Sequence, residues 1–101
     1  MNYSLVIPIF NEGKILNNLL EDLKVLNKQI EIILVDDGSN DETPKILKNL
    51  KDYTIITNPK NNGKGAAIKS GVEIAKNKNI ILFDGDLEIK ISLIPGLIKM
   101  Y

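Results

Sequence analysis

Four short runs of apolar, largely β-branched residues constrain the fold of this chain more than any other feature of its sequence. They span residues 4–10, 31–36, 53–57 and 80–83. Such short, continuous runs predict strands buried on both faces, as in a parallel sheet that is covered by helices. The first run contains Pro8, which has no N–H group for a sheet hydrogen bond, so we expect it at a sheet edge or a strand end.

Segments with helical periodicity separate these strands. Apolar residues recur every three or four positions in residues 12–27, which predicts an amphipathic helix with Asn11 as its N-cap. A second helix is expected to begin with Thr43 as its N-cap and Pro44 in its first turn, and a third is expected in residues 63–76. The alternation of strands and helices predicts an α/β fold, in which helices flank an open parallel sheet.

Composition limits the chemistry of the chain. Its 101 residues allow one domain, and its formal net charge of zero argues against a nucleic-acid partner, which would require a basic patch. Arg, His and Cys are absent, so carboxylates, Lys, hydroxyls and an oxygen-binding cation remain for function. We find neither a signal peptide nor an apolar run of the roughly 20 residues that cross a membrane. We therefore expect a cytoplasmic protein, either free or peripheral at the cytoplasmic face of the membrane.

Polar residues follow three of the predicted strands at the point where each strand ends. They are Asn11, Glu12, Asp36, Asp37, Asp84 and Asp86. The carboxyl ends of parallel strands meet at one edge of the sheet, and this edge is where open α/β sheets bind ligands. The sequence therefore predicts a ligand site that these residues share.

The segment Asp84-Gly85-Asp86 predicts a metal site. Side chains two residues apart on a strand lie about 6.5 Å from each other, so both carboxylates reach one ion only if the chain bends at Gly85. We expect Mg²⁺ or Mn²⁺ to bridge them to a diphosphate. Glu88 is either a third ligand or a surface acid. The alternative for the whole segment is a turn with solvated acids.

The adjacent residues Asp36 and Asp37 are expected to point in different directions. One of them would orient the turn at Gly38 and Ser39 while the other faces the pocket. The alternative is a turn and helix start with no ligand.

Residues 62–65 open the third helix, where backbone N–H groups and Lys64 would attract an anion. The segment is not a Walker A loop, because Asn58 stands where the first glycine belongs and Gly65 replaces Ser or Thr. Without the other motifs, Phe10 is typical of a core aromatic residue at a strand end, and Glu12 is typical of a surface acid in a first helical turn.

Four segments together resemble the front half of the family 2 glycosyltransferases with the GT-A fold, in particular dolichyl- and polyprenyl-phosphate sugar synthases. The segments are VIPIFNE, EIILVDDGSNDET, NNGKGAAIKSG and IILFDGDLE, in this order. The resemblance implies that Pro8, Phe10 and Glu12 surround a nucleotide base, with Phe10 as the stacking ring. It also implies that Asp37 reads the edge of the base and that Lys64 approaches the ribose and diphosphate.

The same resemblance makes Asp84 and Asp86 the DxD motif of the family. Asp84 would bind the donor near the ribose and the metal, and Asp86 would ligate the metal directly. Glu88 falls where some relatives carry a polar metal ligand, commonly Gln. The donor would be a UDP- or GDP-sugar, and the acceptor a polyprenyl phosphate or a glycan.

Members of this family are usually longer, and their second half carries the acceptor site and the catalytic base. We therefore expect residues 1–101 to form the nucleotide-sugar-binding part of a glycosyltransferase domain with an incomplete sheet, which favours homo-oligomerisation. The alternative is a non-catalytic nucleotide-binding or assembly module derived from the same fold. A receiver-like domain that uses Asp36 and Asp37 is a more distant alternative.

Overall fold

The computed structural model describes residues 3–24 and 30–82. Its elements alternate in the predicted order: β1 (Tyr3–Ile9), α1 (Gly13–Leu23), β2 (Ile30–Asp37), α2 (Thr43–Lys48), β3 (Thr54–Asn58), α3 (Lys64–Ile74) and β4 (Asn79–Leu82). Among these residues, no helix is both long and apolar enough to cross a membrane.

The four strands form one parallel sheet with the order β3-β2-β1-β4. β1 is therefore a central strand, and the expectation of a sheet edge for Pro8 is wrong. Pro8 does stand near the carboxyl end of β1, where it aligns with Val35 of β2. The alternative expectation, a strand end, is therefore the one that the structure supports.

Alternation along β1 supplies both faces of the sheet with core residues. Leu5, Ile7 and Ile9 pack with four leucines of α1, which are Leu16, Leu19, Leu20 and Leu23. Val6 points to the opposite face, where it packs with Ile33, Val35 and Ala67 of α3. Each fully buried aliphatic side chain contributes about 1.5–3 kcal/mol, so the larger α1 face supplies most of the apolar stabilisation.

The starts of α1 and α2 share one carboxylate. The Gly13 N–H donates to Asp41 Oδ2 at 3.1 Å, and the Thr43 N–H donates to Asp41 Oδ1 at 2.8 Å. Asn11 is not the N-cap that the sequence predicts, because Glu12 occupies that position and makes no side-chain capping bond. Asp41 instead accepts one free N–H group from the start of each helix.

Thr43 is likewise not an N-cap residue. It is the first residue of α2, the preceding Glu42 occupies the N-cap position, and Pro44 lies in the first turn as predicted. The physical reason is that Asp41 already accepts the Thr43 N–H, which allows Thr43 to adopt the helical conformation.

Gly71 sets the spacing between α3 and the sheet. A Cβ atom at Gly71 would overlap Val6 Cγ1 and lie 3.2 Å from Val35 Cγ2. No such contact exists at Gly65 in the same helix, where a Cβ would meet nothing within 4 Å. The absence of a side chain at Gly71 therefore permits α3 to pack closely on β1 and β2.

We predict that Gly71→Ala lowers the free energy of unfolding although alanine favours helices. Overpacking costs about 1–3 kcal/mol, which on average outweighs the gain of about 1 kcal/mol from helix propensity. Gly65→Ala is the matched control and should be stabilising by up to about 1 kcal/mol. Urea unfolding of the three proteins checks this. Equal stabilisation by both substitutions would contradict the close packing at Gly71.

Asp41 also predicts a dependence of stability on pH. The Thr43 hydroxyl beside Asp41, together with the N–H groups of Thr43 and Gly13, lowers the pKa of this carboxyl below its ordinary value of 3.8, against an opposing effect of desolvation. Because the pKa of Asp41 is lower in the folded state, its carboxylate stabilises the fold completely at a pH above its ordinary pKa. This stabilisation is lost as the pH falls through the lower pKa of the folded state.

We therefore expect wild type to be more stable than Asp41→Asn at neutral pH, and the difference to shrink as the pH falls below 3.8. Denaturant unfolding between pH 2 and pH 7 measures it. Asp22→Asn, which removes an exposed carboxylate from α1, controls for the loss of one negative charge. A difference for Asp41→Asn that stays constant over this range would refute the role of its ionised carboxylate.

Candidate functional site

A cleft opens at the carboxyl ends of β1 and β2. Its volume of about 290 Å³ is close to the smallest volumes of ligand pockets. Its lining residues are Pro8, Ile9, Phe10, Glu12, Asp37, Asn61, Gly63 and Lys64. Five residues that the sequence singled out for a nucleotide site thus lie in one cleft, namely Pro8, Phe10, Glu12, Asp37 and Lys64. Their roles in binding stay predictions.

Phe10 is the first residue after β1 and remains 41% exposed. An aromatic residue at a strand end is usually part of the core, but this ring lies at the cleft instead. Its exposed face is available to stack on a flat apolar group.

Asp37 is the most deeply buried acid of the cleft, with 3% of its surface exposed. Asp37 Oδ1 accepts hydrogen bonds from Asn58 Nδ2 at 3.1 Å and from the Asn62 N–H at 3.2 Å, while Oδ2 accepts the Gly63 N–H at 2.9 Å. Asp37 therefore fixes the segment that leads into α3, in addition to lining the cleft. Sequence reasoning did not predict this second role.

Asp36 points away from the cleft. It is fully buried, and its Oδ1 accepts the Ser39 N–H at 3.0 Å. The adjacent acids thus divide as the strand geometry predicts: Asp36 orients the turn after β2 and Asp37 faces the cleft. A Cβ at Gly38 would overlap the backbone of Lys60 and Asn61, so this turn lies directly against the loop before α3.

The first turn of α3 forms one wall of the cleft. Gly63 precedes the helix with a φ of 98°, which favours glycine, and Lys64 is the first helical residue. The N–H groups of a first helical turn have no partners within their own helix, and together with Lys64 they favour an anion. Asn61 was not predicted as a site residue. Its Oδ1 accepts the Gly63 N–H at 2.9 Å. An asparagine two residues before a glycine could have indicated this turn.

The segment between β1 and α1 is bound to the turn after β2. The Asn11 N–H donates to Ser39 Oγ at 2.9 Å, and the Asn40 N–H donates to Asn11 Oδ1 at 2.9 Å. These bonds explain why the Asn11 side chain does not cap α1.

The predicted metal ligands Asp84, Asp86 and Glu88 lie outside the described residues. Within residues 3–24 and 30–82, no three acids are grouped to hold a metal ion. β4 runs parallel to β1 with Leu82 beside Val6, so β4 runs toward the edge of the sheet that carries the cleft.

Sequence comparison matches residues 4–101 to the family model described as glycosyl transferase family 2. An uncharacterized protein of Methanocaldococcus jannaschii is 40% identical over 103 residues, which cover 93% of this chain and 44% of the relative. An undecaprenyl-phosphate 4-deoxy-4-formamido-L-arabinose transferase of Pseudomonas savastanoi is 36% identical over 106 residues, which cover 96% of this chain and 32% of the relative. The chain therefore spans less than half the length of these relatives.

Solved structures share the fold. TarS 1–349 of S. aureus in complex with UDP has a TM-score of 0.73 at 26% identity, covering 85% of this chain and 28% of TarS 1–349. The mannosyltransferase PcManGT of Pyrobaculum calidifontis, in complex with GDP-Man and Mn²⁺, has a TM-score of 0.74 at 20% identity, covering 84% of this chain and 27% of its own. These similarities confirm the predicted GT-A-like parallel sheet. Because the family model covers nearly the whole sequence, this chain belongs to glycosyl transferase family 2.

Proposed function

We propose that this chain binds the nucleoside diphosphate sugar of a glycosyltransferase and presents the sugar for transfer to a polyprenyl phosphate or glycan acceptor. The observation that carries the proposal is the composition of the cleft. An exposed aromatic ring, a buried carboxylate and a helix N-terminus with a lysine lie around one opening. The ring and the carboxylate can contact the base of a nucleotide, and the helix N-terminus with its lysine can bind the diphosphate.

The base would bind at the β1 side of the cleft. Stacking of a base on an aromatic ring contributes about 1–3 kcal/mol, and the exposed Phe10 offers such a face. A carboxylate has about four acceptor sites, and Asp37 uses three of them for the segment before α3. One acceptor site of Asp37 therefore remains for an N–H group at the edge of a base.

The diphosphate would bind at the α3 side of the cleft. The chain contains no Arg, so bidentate guanidinium contacts with phosphate are excluded. The N–H groups at the start of α3 and the Lys64 ammonium group supply the positive potential instead. Both would stabilise the nucleoside diphosphate as it leaves the sugar.

Asp84, Asp86 and Glu88 are proposed to hold Mg²⁺ or Mn²⁺. Carboxylate oxygens are the ligands that these cations prefer, and β4, which precedes these acids, runs toward the edge of the sheet with the cleft. When bound, the cation would offset negative charge on the diphosphate.

Relatives support this assignment at the level of substrate class. TarS 1–349 binds UDP, and the Pseudomonas relative is named as an undecaprenyl-phosphate sugar transferase. The Methanocaldococcus and Pseudomonas relatives are more than twice as long as this chain. We propose that the acceptor site and the base that deprotonates the acceptor belong to the region of the relatives beyond this match.

The proposal predicts that UDP or GDP raises the thermal unfolding temperature in the presence of MnCl₂. A ligand at 100 times its dissociation constant adds about 2.7 kcal/mol to the free energy of unfolding. Phe10→Leu should weaken binding of the same nucleotide about 5- to 150-fold, since it removes the stacking face. Ile15→Ala, which truncates a similarly exposed side chain outside the cleft, is the matched control.

Asp86→Asn tests the metal separately. It should abolish the contribution of MnCl₂ while leaving metal-independent nucleotide binding in place. A cooperatively folded sample that responds to neither nucleotide would refute the donor-site proposal. Binding that is equally tight in Phe10→Leu would refute the placement of the base.

A further inference from the structure

Asn11 carries a strained backbone conformation at the edge of the cleft. Its φ is 50°, and no other non-glycine residue in the described ranges has a positive φ. Asparagine tolerates this left-handed conformation better than most residues, and alanine tolerates it poorly. The chain thus turns sharply between the end of β1 and the start of α1.

Two hydrogen bonds hold Asn11 in this conformation. Its N–H donates to Ser39 Oγ, and its Oδ1 accepts the Asn40 N–H, both at 2.9 Å. Ser39 is itself fixed, because its N–H donates to the fully buried Asp36. Asn11 is therefore tied to the turn after β2 and, through Asp36, to the sheet.

The residues on either side of Asn11 line the cleft, whereas Asn11 does not. Phe10 is substantially exposed, so packing restrains its ring less than it would restrain a core residue. The direction of the backbone at Asn11 then determines where the side chains of Phe10 and Glu12 point.

We propose that Asn11 is a positioning residue for nucleotide binding, an inference that rests on the proposed function. It acts by keeping Phe10 and Glu12 in the orientation that the ligand requires. If only a fraction of the molecules holds that orientation, the apparent dissociation constant rises in inverse proportion to this fraction. Asn11 thus raises affinity without contacting the ligand.

The test compares Asn11→Ala, Asn11→Gly and Ser4→Ala by calorimetric titration with UDP and GDP in MnCl₂. Asn11→Ala disfavours the left-handed backbone and should weaken binding roughly tenfold, since a strained residue shifts the equilibrium by about this factor. Asn11→Gly restores the backbone but not the bond to Asn40, so it should bind within about threefold of wild type. Ser4 is a buried residue near the opposite end of β1 that donates to Glu31 Oε1 at 2.6 Å. Ser4→Ala should lower stability while leaving affinity unchanged.

Amide hydrogen exchange of Asn40, measured without ligand, provides a second readout. Exchange should accelerate in both Asn11 variants and stay unchanged in Ser4→Ala. If wild type binds and Asn11→Ala binds equally well, the inference is overturned while the donor site stands. If Asn11→Ala and Asn11→Gly lose affinity equally while the exchange of the Asn40 amide is unchanged, Asn11 contacts the ligand directly. This result would overturn the positioning role. If wild type binds neither nucleotide, the donor-site proposal fails and this inference fails with it.

Discussion

The parallel pairing of β1 with β2 is the constraint on which the site depends. Its register places Ile9 beside Asp36, so the chain leaves both strands at the same level of the sheet. The turn after β2 then meets the segment after β1, although 28 or 29 residues separate the partners along the chain. A shift of this register by one residue would move the side chains of β2 to the opposite faces. Asp36 would then face the cleft and Asp37 would face α1.

Backbone N–H groups donate hydrogen bonds to three acids near this edge of the sheet. Asp36 accepts one from the turn after β2, Asp37 accepts two from the segment before α3, and Asp41 accepts one from each of two helix starts. In a chain without Arg or His, these bonds take the place of buried ion pairs. Hydrogen bonds to carboxylates are stronger than those between neutral groups. Those from Gly13 to Asp41 and from Asn62 and Gly63 to Asp37 connect segments that are distant along the chain. These three carboxylates therefore hold the segments around the cleft in place, and Asp37 also lines it.

Hydrophobic periodicity is a local signal, and it was sufficient to predict the strands, the helices and the parallel sheet. The resemblance to the glycosyltransferase family, rather than periodicity, indicated the five predicted residues that line the cleft. The sequence was not sufficient to predict the helix caps. Asn11 has the residue type of an N-cap, but its amide oxygen accepts the Asn40 N–H and Asp41 caps α1 from a distant turn. Pro8 predicted either a sheet edge or a strand end, and the choice between them depends on the place of β1 in the whole topology. Competition among distant partners decides these features, and no local pattern encodes it.

The double role of Asp37 couples the two ends of the proposed nucleotide site. A base N–H that used the remaining acceptor site of Asp37 would add a hydrogen bond without disturbing the segment before α3. A base N–H that displaced the Gly63 N–H would instead release the residue that precedes Lys64. The first arrangement keeps the N-terminus of α3 in place for a diphosphate while the base binds. The second would weaken diphosphate binding at α3 whenever a base is bound at Asp37. Since one molecule carries both groups, only the first arrangement lets them bind with mutual support. The three hydrogen bonds at Asp37 are consistent with that arrangement, because they leave the carboxylate one acceptor site short of saturation.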